Sequence, residues 1–190
     1  MSPVLITPRR YADDRGWFSE TYNARKLSEV GINDNFCQDN QSLSRAAGTL
    51  RGLHFQAPPA AQAKLVRCLA GRIFDVAVDI RRKSPTFGQW VCAELSADNG
   101  MQLYVPAGYA HAFLTLEPDS AVAYKVDSFY SSASEGGIIW NDPQIAIEWP
   151  LTGLDPLLSA KDALLPTLSK FDVDFSYDGQ PLAPLREIEV

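Results

Sequence analysis

Short segments in which apolar and polar residues alternate recur through the middle of the chain, and they constrain its fold more than any other feature. Each is four to eight residues long and rich in β-branched or aromatic side chains, which is typical of β-strands. Turn-forming residues such as Lys83-Ser84-Pro85 separate them. This arrangement predicts an all-β sandwich or barrel of the jelly-roll kind. The four clearest strands are residues 73–80, 89–95, 102–105 and 121–126.

Helical signals are few and short. Residues 23–30 predict one or two helical turns ending at Gly31, and Ser159 is placed to cap a short helix running toward Pro166. The final stretch, residues 172–190, is loosely patterned and predicts either a surface tail or an edge strand. With 190 residues and no internal repeat, the chain is expected to form one domain, residues 1–190.

The composition narrows the class of protein. A hydrophobic content of 46% supports a core that needs neither disulfides nor metal at this length. Lys and Arg number 17 against 23 Asp and Glu, and the resulting net charge of -6 argues against a nucleic-acid partner. A small anionic ligand stays compatible with this charge, because a few local cations suffice to bind it.

The cysteines and the chain's hydropathy bear on location. Cys37, Cys68 and Cys92 form no CxxC pair, so neither a zinc knuckle nor a redox motif is expected, and the last two are predicted to be buried thiols. Residues 1–10 have no apolar segment typical of a signal peptide, and no apolar run approaches the ~20 residues of a membrane helix. The sequence therefore predicts a cytoplasmic protein without a membrane partner.

Only two histidines occur, and each lies in a patterned segment. Residues 100–111 spell G-x5-P-x-G-x2-H, ending at His111, which resembles the second motif of the cupin superfamily. Residues 48–54 spell G-x5-H, ending at His54, which resembles the start of the first cupin motif. The resemblance implies a small jelly roll in which the two motifs are adjacent strands and both histidines point into the barrel.

Two departures from the cupin pattern concern the metal site. A metal-binding cupin carries a second histidine two residues after the first and a glutamate seven residues before a glycine. Here Gln56 and Lys64 occupy those positions, and the glycine is Gly71. Glutamine is a weak ligand and an ammonium is none, so too few donors remain for a stable metal. We therefore expect no metal and an organic acid–base site in its place.

The first histidine segment concentrates polar side chains. A single strand histidine is most often a hydrogen-bonded core or surface residue. A core does not collect Arg51, His54, Gln56 and Lys64 within one short segment unless a cavity or ligand satisfies them. In a regular strand Arg51 and His54 face opposite sides, so either Gly52 marks a bulge or Arg51 lies at the strand entrance.

A more specific resemblance covers the chain from about Arg15 to about Asp162. It is carried by residues 38–42, 50–56, 62–68, 74–81, 84–88 and 140–143. These runs are similar to those of the dTDP-4-dehydrorhamnose 3,5-epimerases. The resemblance implies a core of about residues 15–162 and a C-terminal extension of about residues 163–190.

The resemblance also implies a reaction. The family converts dTDP-4-dehydro-6-deoxy-D-glucose into dTDP-4-dehydro-L-rhamnose by inverting C3 and C5. Both carbons lie beside the C4 ketone, so each proton is acidified through an enolate. This isomerase chemistry needs a base on one face, an acid on the other and positive charge near the C4 oxygen, with no cofactor.

The same resemblance assigns roles to individual residues. His54 corresponds to the base, Asp162 to the carboxylate that orients it, Tyr124 to the opposing acid and Lys64 to the cation near the enolate oxygen. Tyr130 corresponds to the aromatic residue that stacks on the thymine. Ala160 departs from close relatives, which often carry an acid there. The remaining substrate-binding positions implied by the resemblance are Arg15, Glu20, Gln38, Asn40, Arg51, His111, Glu135 and Lys161, together with Lys64.

In this family an N-terminal segment adds to the partner's sheet, so a homodimer is expected, with a dTDP-sugar as the small-molecule partner. The alternatives are an epimerase that inverts only C3 or only C5 of a related dTDP-4-keto-deoxysugar, a metal-dependent cupin oxygenase, and a non-catalytic sugar-binding cupin. Gln56 and Lys64 argue against the oxygenase. The presence of His54, Tyr124, Lys64 and Asp162 together argues against binding alone, which needs no acid–base pair.

Overall fold

The computed structural model describes residues 1–151, 153 and 155–190. Within them the chain forms strands, one short α-helix and two 3-10 turns. The strands are β1 (Val4–Thr7), β2 (Arg10–Asp13), β3 (Gly16–Ser19), β4 (Gln38–Ser44), β5 (Leu50–Gln56), β6 (Lys64–Ala70), β7 (Arg72–Asp79), β8 (Trp90–Ser96), β9 (Gln102–Val105), β10 (Tyr109–Thr115), β11 (Ser120–Val126), β12 (Glu135–Gly137) and β13 (Arg186–Glu189). The helix is α1 (Ala24–Glu29), and the 3-10 turns span Asp162–Leu164 and Leu168–Lys170.

Two sheets make up the body of the protein. The larger has the order β13-β1-β9-β6-β11-β4 and the smaller has the order β12-β5-β10-β7-β8. Neighbouring strands within them are antiparallel apart from β1 and β13, which are parallel. The hairpin of β2 and β3 forms a separate two-stranded sheet. The all-β prediction is confirmed, and each of the four predicted strands is present with its ends shifted by at most one residue.

The smaller sheet is covered on both faces, which explains why every residue of β10 is buried. One face packs against the larger sheet through side chains such as Val66, Leu103 and Phe113. The other face, which includes Val78 and Ala112, is covered by the C-terminal segment from Leu168 to Phe175. A strand buried on both faces loses the apolar–polar alternation of a half-exposed strand.

Of the two predicted helices, the one near residues 23–30 is present and the one toward Pro166 is shorter than predicted. Helix α1 is capped by Asn23, whose side chain accepts backbone hydrogen bonds from Arg25 and Lys26, as the predicted helix at 23–30 requires. The helix predicted toward Pro166 is only one 3-10 turn, because the residue before a proline is driven out of the helical region and Leu165 is extended.

Residues 172–190 end in the edge strand β13, one of the two structures predicted for that stretch. Phe175, near its start, is 3% exposed and therefore belongs to the core rather than to a surface tail. The boundaries of a core at about 15–162 and an extension at about 163–190 stay a prediction, although β1 and β13 lie outside that core and pair in the larger sheet.

The cysteines and the helices bear on two further predictions, buried thiols and the lack of a membrane-spanning helix. Cys68 is buried and Cys92 half-buried, and burial raises the pKa of the Cys68 thiol to about 11 and raises that of Cys92 as well. Both thiols are therefore protonated and unreactive at neutral pH. In the described part of the chain, none of the helices has the length and apolar character needed to cross a membrane.

Candidate active site

A bulge in β5 brings two side chains of one strand to the same side. His54 lies directly opposite His111 of β10, and Arg51 lies opposite Phe113, so three steps along β5 match two along β10. Gly52 adopts φ +124°, and a Cβ there would lie 2.4 Å from Cβ of Ala112. Only glycine fits that close approach. Of the two interpretations left open by the sequence, the bulge at Gly52 is therefore the correct one.

The two histidines face a cavity of about 540 Å³ between the sheets. A smaller cavity of about 150 Å³ adjoins it and shares His54, Lys64 and Tyr124 as lining residues. Eleven predicted site residues line one cavity or both. They are Gln38, Asn40, Arg51, His54, Lys64, His111, Tyr124, Tyr130, Glu135, Lys161 and Asp162.

His54 is held by a carboxylate from a distant part of the chain. Its Nε2 lies 2.7 Å from Oδ1 of Asp162, which is buried at the start of a 3-10 turn. Burial is the largest single influence on the pKa of Asp162 and raises it, but the hydrogen bond and charge of His54, together with hydrogen bonds from Gly52 and Ser159, lower the pKa overall. An ionised carboxylate accepts the N–H of one ring nitrogen and leaves the other free to act as a base.

Lys64 supplies a buried cation beside the histidine. Its Nζ donates a hydrogen bond to the carbonyl oxygen of His54 at 3.3 Å. Burial lowers the pKa of Lys64 to about 8, and the charges of Asp75 and Glu135 limit that fall. None of the ion pairs formed by the described residues involves Lys64, so its ammonium is available to an anion in the cavity.

His111 forms a second histidine–carboxylate pair. Its Nε2 lies 2.7 Å from Oδ1 of Asp75, and both side chains are buried. Burial lowers the pKa of His111, so the ring is neutral at neutral pH. Oδ2 of Asp75 has no hydrogen-bond partner among the described residues. Asp75 was not predicted from the sequence, and the signal was an acid that shares the apolar run 73–80 with Asp79.

Tyr124 faces His54 from the other sheet. It belongs to β11 and lines both cavities. Burial raises the pKa of its hydroxyl, and the charge of Arg51 offsets part of that rise. The hydroxyl therefore stays protonated at neutral pH and can donate a proton. Among the described residues, the Arg51 guanidinium makes two long hydrogen bonds, 3.3 Å to Oγ of Ser44 and 3.4 Å to the carbonyl oxygen of Leu43.

The mouth of the smaller cavity carries a chain of polar contacts. Tyr130 is 59% exposed, and its hydroxyl donates to Glu135 at 3.1 Å. Glu135 forms an ion pair of 2.6 Å with Lys161, which lowers the pKa of Glu135 and raises that of Lys161. Gln38 accepts a hydrogen bond from the backbone N–H of Tyr130 at 3.1 Å and donates one to Asn40 at 2.9 Å.

Two predicted residues lie elsewhere. Arg15 is in the turn between β2 and β3, where its side chain is 90% exposed and pairs with Asp13 at 2.6 Å. Glu20 accepts a hydrogen bond from Asn23 at 3.0 Å and pairs with Lys26 at 3.2 Å. Neither lines either of the two cavities described above.

Comparison with known proteins identifies the family. The family model of dTDP-4-dehydrorhamnose 3,5-epimerase matches residues 2–170. The chain belongs to this family. A dTDP-4-dehydrorhamnose 3,5-epimerase from Salmonella typhimurium is 51% identical over 168 residues, which are 88% of this chain and 91% of the relative. The predicted family, its jelly-roll fold and its epimerase function are thereby confirmed.

Solved structures of family members agree with the fold described above. The crystal structure of the dTDP-6-deoxy-D-glucose-3,5-epimerase from Legionella pneumophila, in complex with dTDP-4-keto-L-rhamnose, has a TM-score of 0.86 and 46% identity, covering 91% of this chain and 93% of that one. The Bacillus anthracis epimerase, with TDP and PPi bound, has a TM-score of 0.84 and 51% identity, covering 87% of this chain and 93% of that one.

Proposed function

We propose that this chain inverts C3 and C5 of dTDP-4-dehydro-6-deoxy-D-glucose by moving protons through an enolate. One observation carries the proposal: His54 and Tyr124 come from opposite sheets and line the same cavity, with Lys64 buried beside His54. A base and an acid on opposite sides of a sugar ring are what inversion requires, because the proton leaves one face and returns to the other.

Each group has a state suited to its step. The Asp162 carboxylate stabilises the imidazolium that forms when His54 removes a proton from C3 or C5. The Lys64 ammonium stabilises the negative charge that develops on the C4 oxygen. The neutral ring of His111 is a second group able to contact the sugar. Tyr124 then delivers a proton to the opposite face of the enolate.

We propose that the nucleotide occupies the smaller cavity and its mouth. Support comes from Tyr130, an exposed aromatic ring able to stack on thymine, and from the loosely held guanidinium of Arg51, which suits a diphosphate. The relatives from Legionella pneumophila and Bacillus anthracis were solved with a dTDP-sugar and with TDP, respectively. Gln38, Asn40, Glu135 and Lys161 then contact the substrate from the rim.

We propose a homodimer in which the second copy supplies Arg15 and Glu20 to the site. The hairpin that carries Arg15 exposes three large side chains, Tyr11, Trp17 and Phe18, at 51%, 57% and 69%. In the described structure β4 pairs with β11 alone and leaves one edge of the larger sheet open. Mixing an Arg15→Ala protein with a His54→Ala protein tests this, since restored activity requires one intact site built from two chains.

A cytoplasmic location remains part of this proposal, and free Cys37, Cys68 and Cys92 are compatible with it.

The deciding experiment is incubation with dTDP-4-dehydro-6-deoxy-D-glucose in deuterated water, followed by proton NMR of the product. Deuterium at both C3 and C5 with inverted configuration supports the proposal. Deuterium at one carbon alone assigns the chain to the C3-only or C5-only alternative. Absence of any exchange overturns the enzymatic proposal and leaves a sugar-binding protein.

A further inference from the structure

The buried carboxamide of Gln56 connects two loops beside the smaller cavity. Its Nε2 donates to the carbonyl oxygen of Ala60 at 2.8 Å and to that of Phe129 at 3.3 Å. Its Oε1 accepts from the backbone N–H of Ser131 at 2.7 Å. Gln56 is 5% exposed, so these backbone groups satisfy a side chain that water hardly reaches.

Two of the backbone groups bonded to Gln56, the carbonyl of Phe129 and the N–H of Ser131, lie on either side of Tyr130 in the sequence. The loop that carries them, residues 127–134, joins β11 to β12 and contains no regular strand or helix. Gln38 holds the backbone N–H of Tyr130 itself, and Gln62 donates to the carbonyl oxygen of Ser128 at 2.6 Å. The backbone on both sides of this exposed aromatic ring is therefore held by glutamine side chains, of which Gln56 is buried.

We infer that Gln56 is a positioning residue that presents the Tyr130 ring to the nucleotide base. The inference rests on the proposed function, in which Tyr130 stacks on thymine. At the position where a metal-binding cupin places a ligand, this chain uses a side chain to order the nucleotide end of its site. Pre-ordering the loop lowers the entropy lost on binding, so its effect falls on affinity rather than on proton transfer.

Glutamine suits this role because the contacts need a donor and an acceptor on one planar group. A carboxylate at this position keeps the acceptor for Ser131 but faces the carbonyl oxygens of Ala60 and Phe129 without a proton. A methionine has a similar length and neither function. Gln56→Glu therefore removes the donor contacts alone, whereas Gln56→Met removes the donor and acceptor contacts together.

The test is calorimetric titration with dTDP together with steady-state kinetics. Gln56→Met is expected to raise the Kd for dTDP and the KM about tenfold, the loss of roughly one hydrogen bond's contribution, with kcat at saturation within about twofold. The matched control is Asn99→Leu. Asn99 is another carboxamide bonded to three backbone groups, those of Ser96, Met101 and Glu94, and it lines neither cavity. The Asn99→Leu protein is expected to bind dTDP with unchanged affinity.

A double variant separates positioning from general destabilisation. In a Tyr130→Ala background, Gln56→Met should weaken dTDP binding no further, because the ring that it positions is gone. An equal loss of affinity in both backgrounds overturns the inference, as does an unchanged Kd in Gln56→Met. If Gln56→Met does not fold, Gln56→Glu is read by the same criteria.

Failure of the inference differs from failure of the proposed function. If the protein binds dTDP but does not turn over the 4-keto sugar, the proposed reaction is wrong. The Gln56 variants then still test the positioning role, because they are measured by nucleotide binding. Turnover with dTDP affinity that is insensitive to Gln56 keeps the reaction and removes the positioning role. If the unaltered protein does not bind dTDP, both are wrong.

Discussion

Oδ1 of Asp162 lies 2.7 Å from Nε2 of His54, although 108 residues separate the two in the sequence. The carboxylate is buried and its backbone N–H is held by Oγ of Ser159 at 3.0 Å, so its position relative to the ring is fixed. A carboxylate so placed selects one tautomer of the imidazole and stabilises its protonated form. In the proposed reaction the pair therefore acts as one unit in proton abstraction.

Asp162→Asn keeps the size of the side chain and removes its charge. We expect kcat to fall by about 10²–10⁴-fold, because the imidazolium loses its counter-ion and the tautomer is no longer imposed. Steady-state kinetics measures this, and circular dichroism checks that the fold is kept. A loss below about tenfold would assign Asp162 to structural support only.

Substitutions of the two opposing groups should fail in different ways. His54→Ala should abolish both inversion and deuterium exchange, since no enolate forms. Tyr124→Phe removes only the hydroxyl, so His54 can still remove a proton and return a deuteron to the same face. The expected NMR signature of Tyr124→Phe is exchange with retained configuration. Unimpaired inversion in that variant would mean that another group delivers the proton.

The buried ammonium of Lys64 should set the alkaline limit of activity. Burial lowers its pKa to about 8, so kcat/KM should decline as the pH rises through about 8 and the charge near the C4 oxygen is lost. A pH–rate profile measures the decline. A flat profile up to pH values well above 8 would show that the cation is not needed or is held charged by the substrate.

The same residue should destabilise the folded protein at neutral pH. Between about 8 and its ordinary value of 10.5 the unfolded chain binds a proton that the folded protein does not, so stability rises with pH across that window. Below it the buried charge costs on the order of 3 kcal/mol. Lys64→Met should therefore raise the free energy of unfolding at pH 7 while it reduces kcat. Urea denaturation at pH 7 and pH 10 measures both effects.

The C-terminal segment should contribute to stability without touching the cavities. Phe171 is 6% exposed and packs on Phe55 of β5 with ring centroids 5.5 Å apart. Phe171→Ala should lower the free energy of unfolding by about 3–5 kcal/mol, as for other large-to-small core changes. The matched control is the neighbouring Asp172→Ala, whose side chain is 97% exposed and which should change stability by less than about 0.5 kcal/mol.

Activity should also survive exhaustive chelation, with no stoichiometric metal in the purified protein. Gln56 and Lys64 stand where a metal-binding cupin has ligands, and both side chains bond to backbone carbonyl groups here. Elemental analysis and a rate measured after dialysis against EDTA test this. Loss of activity that a divalent ion restores would contradict it.

The local pattern predicted the strands because alternation and turn residues depend on neighbours in sequence, and they locate β7, β8, β9 and β11. That the strands of His54 and His111 are adjacent was implied by the cupin resemblance, and their register is a finding of the structure. The local pattern could not decide between a bulge at Gly52 and a strand entrance at Arg51, since strand register depends on the partner strand. Asp162 was named only through the family resemblance, because no local pattern connects it to His54.

Other parts of the site depend on distant packing. The pairing of Asp75 with His111 follows from the register of β7 against β10, and no local pattern in the sequence indicates that register. Phe171 and Phe175 lie in a segment without regular secondary structure, so no periodicity marks them as core. Arg15 and Glu20 lie outside the two cavities described above, and in the proposed dimer they contact the site of the second copy, which the sequence of one chain does not indicate.

The larger sheet has two unlike edges, because β13 forms one and β4 the other. Strand β13 presents Arg186, Glu187 and Glu189, and charged side chains on an edge discourage another strand from pairing there. Strand β4 has one acidic residue, Asp39, among otherwise uncharged side chains. Growth of a continuous intermolecular sheet needs two receptive edges. The larger sheet offers one, so association through that sheet should stop at a closed pair instead of propagating into fibres.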